Sequence, residues 1–197
     1  MLDVKTFCDI LKYIPFNVGS LYNNIFPYNC LFNHGDYYTA DCWNLIKALI
    51  WNDGKLPQNK GEYIYQPNKY GLGDWNGATI LSKCTDVSTN FTKAIDGEFI
   101  LTEDGTHAGI YVGEFNGAWN GKKYTWNVIE CTPIWENGIQ ATWVDTNGTR
   151  RNHKDGASAG RWHKHGKLTE WVNYNSPEKE VVLKASKDAT KIVIELI

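Results

Sequence analysis

The sequence predicts an α+β domain in which the helices come first and an antiparallel sheet follows. Apolar residues recur with helical spacing in the first part of the chain, whereas from Gly97 onward they alternate with the period of a strand. Asp-Gly and Asn-Gly pairs separate the alternating segments, as they do in β-hairpins. We therefore expect a central helix packed on an antiparallel sheet, with residues 1–197 in one domain. Its core should cover about 20–175, and 176–197 should add an edge strand or a tail.

Two longer helices and one short helix are predicted before the sheet. Residues 2–14 place their apolar side chains on one face, which predicts an amphipathic helix that ends before Pro15. Residues 42–51 are apolar almost all round, so they should form a largely buried helix with Asp41 as its N-cap. A short helix is expected over 78–83.

Four segments alternate clearly enough to predict strands, and they are 98–102, 107–114, 124–131 and 139–144. Three later runs could add strands, and these are 168–174, 192–196 and, more weakly, 180–184.

Charge and hydropathy exclude two broad classes of function. Twenty basic residues against 22 acidic ones give a net charge of −2, so no nucleic-acid partner is expected. No apolar stretch reaches the ~18–20 residues that a membrane-spanning helix needs. The N-terminal residues lack the basic segment, the apolar run and the cleavage site of a signal peptide, which predicts synthesis in the cytoplasm.

One of the five cysteines stands out by its position. No two of them are spaced as Cys-x-x-Cys, so neither a zinc ribbon nor an even disulfide framework is predicted. Cys42 follows the predicted N-cap directly, where unpaired backbone N–H groups and the helix dipole favour the reactive thiolate. The alternative is that Cys42 packs as a small buried hydrophobe, as free cysteines often do.

His107 and Glu130 are the candidate partners of that thiol. His107 opens a strand whose next residues, Ala108 and Gly109, are small enough to let a helix start approach closely. If the strands 107–114 and 124–131 form a hairpin, Glu130 faces the His107 ring and fixes its tautomer. The alternatives are an exposed histidine near a turn and a solvated carboxylate.

Taken together, these residues resemble the NlpC-type and CHAP-type cell-wall cysteine peptidases, in particular their phage and prophage endolysin branch. The resemblance runs from about 20 to 175, and it is carried mainly by the segments 41–42, 105–113 and 128–130. Pro27-Tyr28 is similar to a Pro-Tyr segment of the family, whose tyrosine lies beside the thiolate. The segment 162–168 resembles a late strand entry of these lysins.

The resemblance implies a papain-like core with Cys42 as nucleophile, His107 as base and Glu130 as the third catalytic residue. It also implies hydrolysis of an amide bond in the stem peptide of bacterial peptidoglycan, without a metal or other cofactor. An N-acetylmuramoyl-L-alanine amidase with the same three residues is an alternative within the hydrolases. For a phage-type lysin, a partner pore protein would release the enzyme to the cell wall.

The aromatic content leaves a second class of function open. Nine Trp, eleven Tyr and seven Phe make up 14% of the chain, and aromatic faces suit sugars and peptides. A non-catalytic glycan- or peptide-binding module would explain this content equally well. The candidates for contact with substrate or with an oxyanion are Tyr28, Tyr37, Tyr38, Trp43 and Trp135.

The basic segment from Arg150 to Lys167 is predicted to be an exposed polar loop. It holds His153, His163 and His165, but His-x-His on a polar loop is a weak metal pattern without a third ligand at a suitable spacing. We therefore expect no metal site there, and solvated, partly cationic side chains instead.

Overall fold

The structure is a computed structural model that describes residues 1–175, 181–185 and 192–196. The elements up to the middle of the chain are β1 (Leu2–Asp3), α1 (Val4–Asn17), β2 (Ser20–Tyr22), β3 (Leu31–Asn33), β4 (Tyr38–Ala40), α2 (Cys42–Trp51), β5 (Tyr63–Ile64), α3 (Gly77–Ser82), β6 (Thr85–Ser88) and β7 (Glu98–Thr102). The later elements are β8 (Ala108–Trp119), β9 (Lys122–Thr132), β10 (Gly138–Val144), β11 (Thr149–Arg151), β12 (Ser158–Lys167), β13 (Val172–Asn173), β14 (Val181–Ala185) and β15 (Ile192–Leu196).

The predicted papain-like α+β core is wrong, because strands dominate the structure. Over residues 1–175, strands hold 38% of the residues and helices, with 3-10 turns included, hold 21%. The largest sheet in the described structure has seven strands. A four-stranded sheet, β2-β4-β3-β5, lies in the N-terminal part, where the sequence predicted only loop around the helices. The short strands of that sheet have too few alternating residues to be recognised before they pair.

The seven-stranded sheet closes on itself. Its strands follow the order β11-β10-β9-β8-β7-β12-β6, and β11 also pairs with β12. Six of the strands therefore form a continuous ring of pairings, which leaves fewer unpaired strand edges than an open sheet. One face of this ring packs against α2, and the other face surrounds a second apolar cluster that includes Ile100, Val128 and Trp162.

Helix α2 confirms the predicted buried helix over 42–51. The Asp41 side chain accepts a hydrogen bond from the Asn44 backbone N–H at 2.7 Å, as an N-cap does. The helix packs on β8 and β9, and Ala48, Leu49 and Trp51 have no solvent exposure. An all-round apolar pattern therefore corresponds to burial on every side. The short predicted helix is also confirmed, as α3.

Helix α1 is longer than the sequence predicts. It continues through Pro15 to Asn17, so the predicted end before the proline is wrong. Pro15 lies in the last turn, where its missing N–H removes a single bond of the helix. The Phe16 ring then packs edge-on to Phe115 and Trp119, and these contacts hold the last turn in place.

The first predicted strand is confirmed as β7 with the same bounds. The next three are confirmed as β8, β9 and β10, with ends that differ by at most five residues. The possible strand over 168–174 forms only as the two-residue β13, which pairs with β1, whereas the possible strand over 192–196 is confirmed as β15. The predicted polar loop is wrong as well, because most of it forms β11 and β12. In the C-terminal segment β14 pairs with β15, while 176–180, 186–191 and 197 lie outside the described residues. Among the described helices, none is both long and apolar enough to span a bilayer.

Shortening Leu49 to alanine should destabilise the fold strongly, because the side chain is fully buried between α2 and the sheet. We expect Leu49→Ala to lower the free energy of unfolding by ~2–5 kcal/mol in urea titrations. Leu21→Ala is the matched control, since Leu21 is 42% exposed, and it should change stability by less than ~0.5 kcal/mol. Equal losses in the two variants would contradict this account of the core.

Candidate active site

The carboxylate of Glu130 lies at the centre of a buried polar cluster. Its Oε1 accepts hydrogen bonds from the Thr142 hydroxyl at 2.6 Å and from Arg150 Nε at 3.1 Å. Its Oε2 accepts from His107 Nε2 at 2.5 Å and from the terminal guanidinium nitrogen Nη2 of Arg150. These four groups come from β9, β10, β11 and the residue before β8, so the ring of strands brings them together.

This environment decides the charge of Glu130. The side chain has no solvent exposure, and burial alone would raise its pKa. Hydrogen bonds and charges from His107 and Arg150 outweigh burial and lower the pKa from 4.5 to about 2. Glu130 is therefore an ionised carboxylate at neutral pH, with its lone pairs occupied by donors.

Arg150 belongs to this buried cluster, a position that the sequence does not predict. Predicted as a solvated loop cation, it is 5% exposed and its guanidinium lies 5.1 Å from the Trp135 ring and 5.4 Å from the Trp162 ring. Its Nη2 also donates to Thr132 at 3.1 Å. The one nearby signal in the sequence is Trp162, which supports the family resemblance but does not indicate that Arg150 packs against it.

The His107 ring is held in a defined tautomer. It stacks on Trp162 with ring centroids 5.3 Å apart, and its Nε2 faces the ionised Glu130. An ionised carboxylate only accepts, so Nε2 carries the proton and Nδ1 is left as the basic atom. Within the described residues, Nδ1 has no hydrogen-bond partner. The geometry therefore leaves it available to take a proton.

The thiol of Cys42 reaches the same strand from the other face of the sheet. Cys42 is the first residue of α2, and the backbone N–H of Ala108 points toward its sulfur. Ala108 and Cys131 belong to the face that packs on α2, whereas Glu130 lies on the opposite face with the His107 ring. Within the described residues, no hydrogen bond joins the thiol to the imidazole.

Burial keeps Cys42 protonated. The residue is 4% exposed, and burial together with the charge of Asp41 raises the pKa of the thiol to about 12. Backbone N–H groups at the helix start lower the pKa, as the sequence predicted, but they do not compensate for burial. The expected ready-made thiolate is therefore wrong for this state of the protein.

The five aromatic candidates do not converge on one place. Trp135 contacts Arg150 of the Glu130 cluster. Tyr38 instead donates to the Pro57 carbonyl at 2.9 Å, and Trp43 packs against the start of α3. Tyr28 and Tyr37 lie in an aromatic surface around His34, to which both stack. Trp135 is thus the one candidate that the described structure brings to the cluster.

Tyr22 is the tyrosine with an electrostatic link to the nucleophile candidate. Burial raises its pKa, and the nearby Cys42, Asp41 and Cys131 raise it further. The sequence interpretation named Tyr28 for this position on the basis of the Pro-Tyr segment. Tyr22 stands on β2, whose pairing with β4 had no local signal and could not be anticipated.

An open groove of about 670 Å³ runs past His107. Thr132 and Arg150 form part of its floor, and Asp104 and Arg161 contribute charges of opposite sign. Hydrogen bonds from Thr102 and Thr106 lower the pKa of Asp104 to about 2, so this carboxylate is ionised. The groove is open to solvent at His107, and Cys42 does not line it.

His165 is a buried core residue and not part of an exposed loop. It is 1% exposed on β12, and its Nδ1 lies 2.6 Å from Glu98, while Nε2 lies 3.0 Å from the Asn90 carbonyl oxygen. Burial lowers the pKa of His165, but Glu98 and Asn90 outweigh burial and raise it overall. Both ring nitrogens are thus engaged in structural contacts. No group of three potential metal-ligating side chains occurs within the described residues.

Comparison with known proteins gives no relative. No family model matches the chain, and neither a curated protein nor a solved structure is detectably similar to it. Function therefore has to be argued from the residues and their geometry.

Replacing Asp41 should make Cys42 more reactive, because the Asp41 charge raises the pKa of the thiol. Asn caps a helix about as well as Asp, so Asp41→Asn should keep α2 intact. We expect faster alkylation of Cys42 by iodoacetamide at pH 8, measured by mass spectrometry. Each unit by which the pKa falls raises the thiolate fraction about tenfold. Cys8, buried on α1, is the internal control, and an unchanged or slower rate at Cys42 would contradict the assignment.

The charge of Glu130 should make stability depend on acid pH. Because its folded-state pKa is about 2 instead of 4.5, ionised Glu130 stabilises the fold above pH 4.5, and this contribution is lost as the pH falls toward 2. Urea titrations between pH 2.5 and 6 should show a smaller loss of stability in Glu130→Gln than in the wild type. Glu114→Gln removes an exposed carboxylate and should keep the wild-type slope. Identical slopes for all three proteins would be the contrary result.

Proposed function

We propose that the protein is a thiol hydrolase of amide bonds, with Cys42 as nucleophile, His107 as general base and Glu130 as the residue that orients the base. The observation that carries the proposal is the His107–Glu130 pair, which leaves Nδ1 basic at the start of the strand that Cys42 approaches. A base oriented by a buried carboxylate is the arrangement that nucleophilic catalysis requires.

The protonated thiol defines the first step of the proposed reaction. Since Cys42 is not a thiolate at neutral pH, its proton must pass to Nδ1 of His107 as the sulfur attacks the amide carbonyl. This transfer requires the thiol and the imidazole to approach each other when substrate binds. Catalytic hydrogen bonds are often long or poorly aligned in the free enzyme and tighten in the substrate complex. Here the two groups lie on opposite faces of the sheet, so substrate binding would have to move His107 or the start of α2.

The remaining steps return the site to its starting state. The protonated imidazole gives its proton to the leaving amine as the carbon–nitrogen bond breaks, which leaves a thioester on Cys42. Water then loses a proton to Nδ1 and attacks the thioester, and the sulfur leaves and regains a proton. A backbone N–H at the start of α2 can donate to the oxyanion, a contribution of roughly 3–4 kcal/mol in other hydrolases.

We propose the peptide stem of bacterial peptidoglycan as the substrate. The sequence resemblance to cell-wall cysteine peptidases supports this choice, and the groove beside His107 offers side chains of both charges to a polar peptide. Either an endopeptidase or an N-acetylmuramoyl-L-alanine amidase could use these residues. Release to the wall with the help of a phage pore protein is part of the same proposal.

Digestion of purified cell walls tests the proposal. We expect Cys42→Ala and His107→Ala to lower the rate of fragment release at least ~10³-fold, because each removes a group that forms or breaks bonds. Cys8→Ala is the matched control, since it removes another buried thiol and should keep wild-type activity. EDTA should leave the rate unchanged.

Mass spectrometry of the fragments decides which bond is cut. An amidase releases intact stem peptides from the glycan, whereas an endopeptidase leaves amino acids attached to the sugar. Wild-type activity in Cys42→Ala would reject the thiol mechanism, whereas a wild type that releases no fragments would favour the non-catalytic binding module.

A further inference from the structure

A second concave site lies between the end of α1 and the hairpin β8–β9, away from the groove beside His107. It is a cavity of about 130 Å³, which admits one ring-sized group and not a whole drug-sized ligand. Five aromatic side chains line it, and these are Phe16, Trp119, Tyr124, Trp126 and Trp135. The other lining side chains include Glu136, Gln140, Asn152 and His153.

The aromatic walls of this cavity are fixed in place. Phe16 packs edge-on to Trp119 at 5.9 Å and against Trp126 at 5.2 Å, both measured between ring centroids. Tyr124 contacts Trp126 at 5.7 Å and His153 at 4.5 Å. Such walls offer flat apolar faces whose polar edges remain able to form hydrogen bonds.

Two polar atoms of the lining residues lack protein partners. Within the described residues, neither Nε1 of Trp119 nor Oδ1 of Asn152 makes a hydrogen bond, although both atoms are buried. Buried polar atoms are nearly always paired, so these two call for an explanation. Both atoms are closed to water in this state, so a ligand would reach them only if the lining moved. Glu136 and His153 are lining side chains that remain accessible, and they suit a ligand with hydroxyl or amide groups.

Trp135 joins the cavity to the Glu130 cluster. One side of its ring lines the cavity, and its ring centre also lies 5.1 Å from the guanidinium of Arg150. Its backbone has a φ of +62°, a conformation that costs energy for a bulky residue. The strained backbone holds the Trp135 ring where it lines the cavity and contacts Arg150, which itself lines the groove beside His107.

We propose that this cavity binds one N-acetylated hexosamine ring of a glycan chain. The apolar face of the sugar ring and the acetamido methyl group would contact the aromatic walls, and the hydroxyl and amide groups would pair with the polar lining. The choice of the acetylated sugar rests on the proposed function, because the wall glycan carries such sugars next to the stem peptide. Trp135 then places the glycan beside the cluster that orients His107.

Titration with N,N′,N″-triacetylchitotriose, followed through the tryptophan indole N–H signals in NMR spectra, tests the proposal. We expect saturable binding to the wild type and to Cys42→Ala with the same dissociation constant. Trp119→Ala and His153→Ala should each weaken binding about three- to tenfold, as expected for loss of one stacking or polar contact. Trp119 stands near the tip of the hairpin β8–β9, so its replacement should disturb the fold little. If Trp119→Ala nevertheless folds poorly, His153→Ala tests the same cavity through a loop residue.

The controls separate this proposal from the hydrolase proposal. Tyr63→Ala removes an aromatic ring that is 44% exposed elsewhere on the molecule, and it should bind like the wild type. Cellotriose, which lacks acetamido groups, should bind at least about tenfold more weakly, a difference of 1.4 kcal/mol. Absence of chitotriose binding, equal binding of cellotriose, or equal losses in Trp119→Ala and Tyr63→Ala would each overturn the proposal. Wall hydrolysis without sugar binding would contradict the sugar site and support the hydrolase. Sugar binding without wall hydrolysis would support the sugar site and contradict the hydrolase.

Discussion

The buried carboxylate of Glu130 is the interaction on which the central sheet and the candidate active site both depend. It ties together side chains from β9, β10, β11 and the residue before β8, and it is neutralised by Arg150 inside the ring of strands. Without the guanidinium, an ionised carboxylate in this position would carry a large desolvation cost. Without the carboxylate, Arg150 would have no buried counter-charge and the His107 ring would lose its tautomer. The same four contacts therefore support the closure of the sheet and the chemistry of the histidine.

Trp162 joins the second apolar cluster to the Glu130 cluster. It packs with Phe91, Ile100, Val128 and Val144, and it also stacks on both His107 and Arg150. This indole therefore shields one side of the ion pair from water, which strengthens the electrostatic interactions there. Some of the abundant aromatic residues thus pack against the Glu130 cluster, and others form the walls of the cavity lined by Trp119.

The elements that the sequence predicts well are those specified by local pattern. Helix α2 has an N-cap and an all-round apolar surface, and β7 is a short apolar run between the turn signals Asp96-Gly97 and Asp104-Gly105, so each could be recognised without knowledge of its partners. Strand β12 could not, because it has few apolar residues and becomes a strand only by pairing with β7, β6 and β11. The burial of Arg150 follows from that long-range pairing, so it was missed for the same reason. The pairing of His107 with Glu130 was predictable because a single hairpin creates it. The position of Cys42 on the other face of that hairpin was not, since it depends on how α2 docks against the sheet.

Two buried carboxylates with oppositely displaced pKa values flank the strand that opens at Ala108. Burial raises the pKa of Asp41 to about 6, and the Asn44 amide groups only partly offset it, whereas cationic partners hold the pKa of Glu130 near 2. Divergent environments of this kind are how proteins assign different roles to chemically similar groups. Glu130 keeps a fixed charge across the acid range and can orient His107 throughout it. Asp41 loses its charge below about pH 6, and this loss removes the neighbour that opposes ionisation of Cys42. The charge of Asp41 therefore disfavours the Cys42 thiolate most at neutral and alkaline pH. There the proposed reaction requires transfer of the thiol proton to His107.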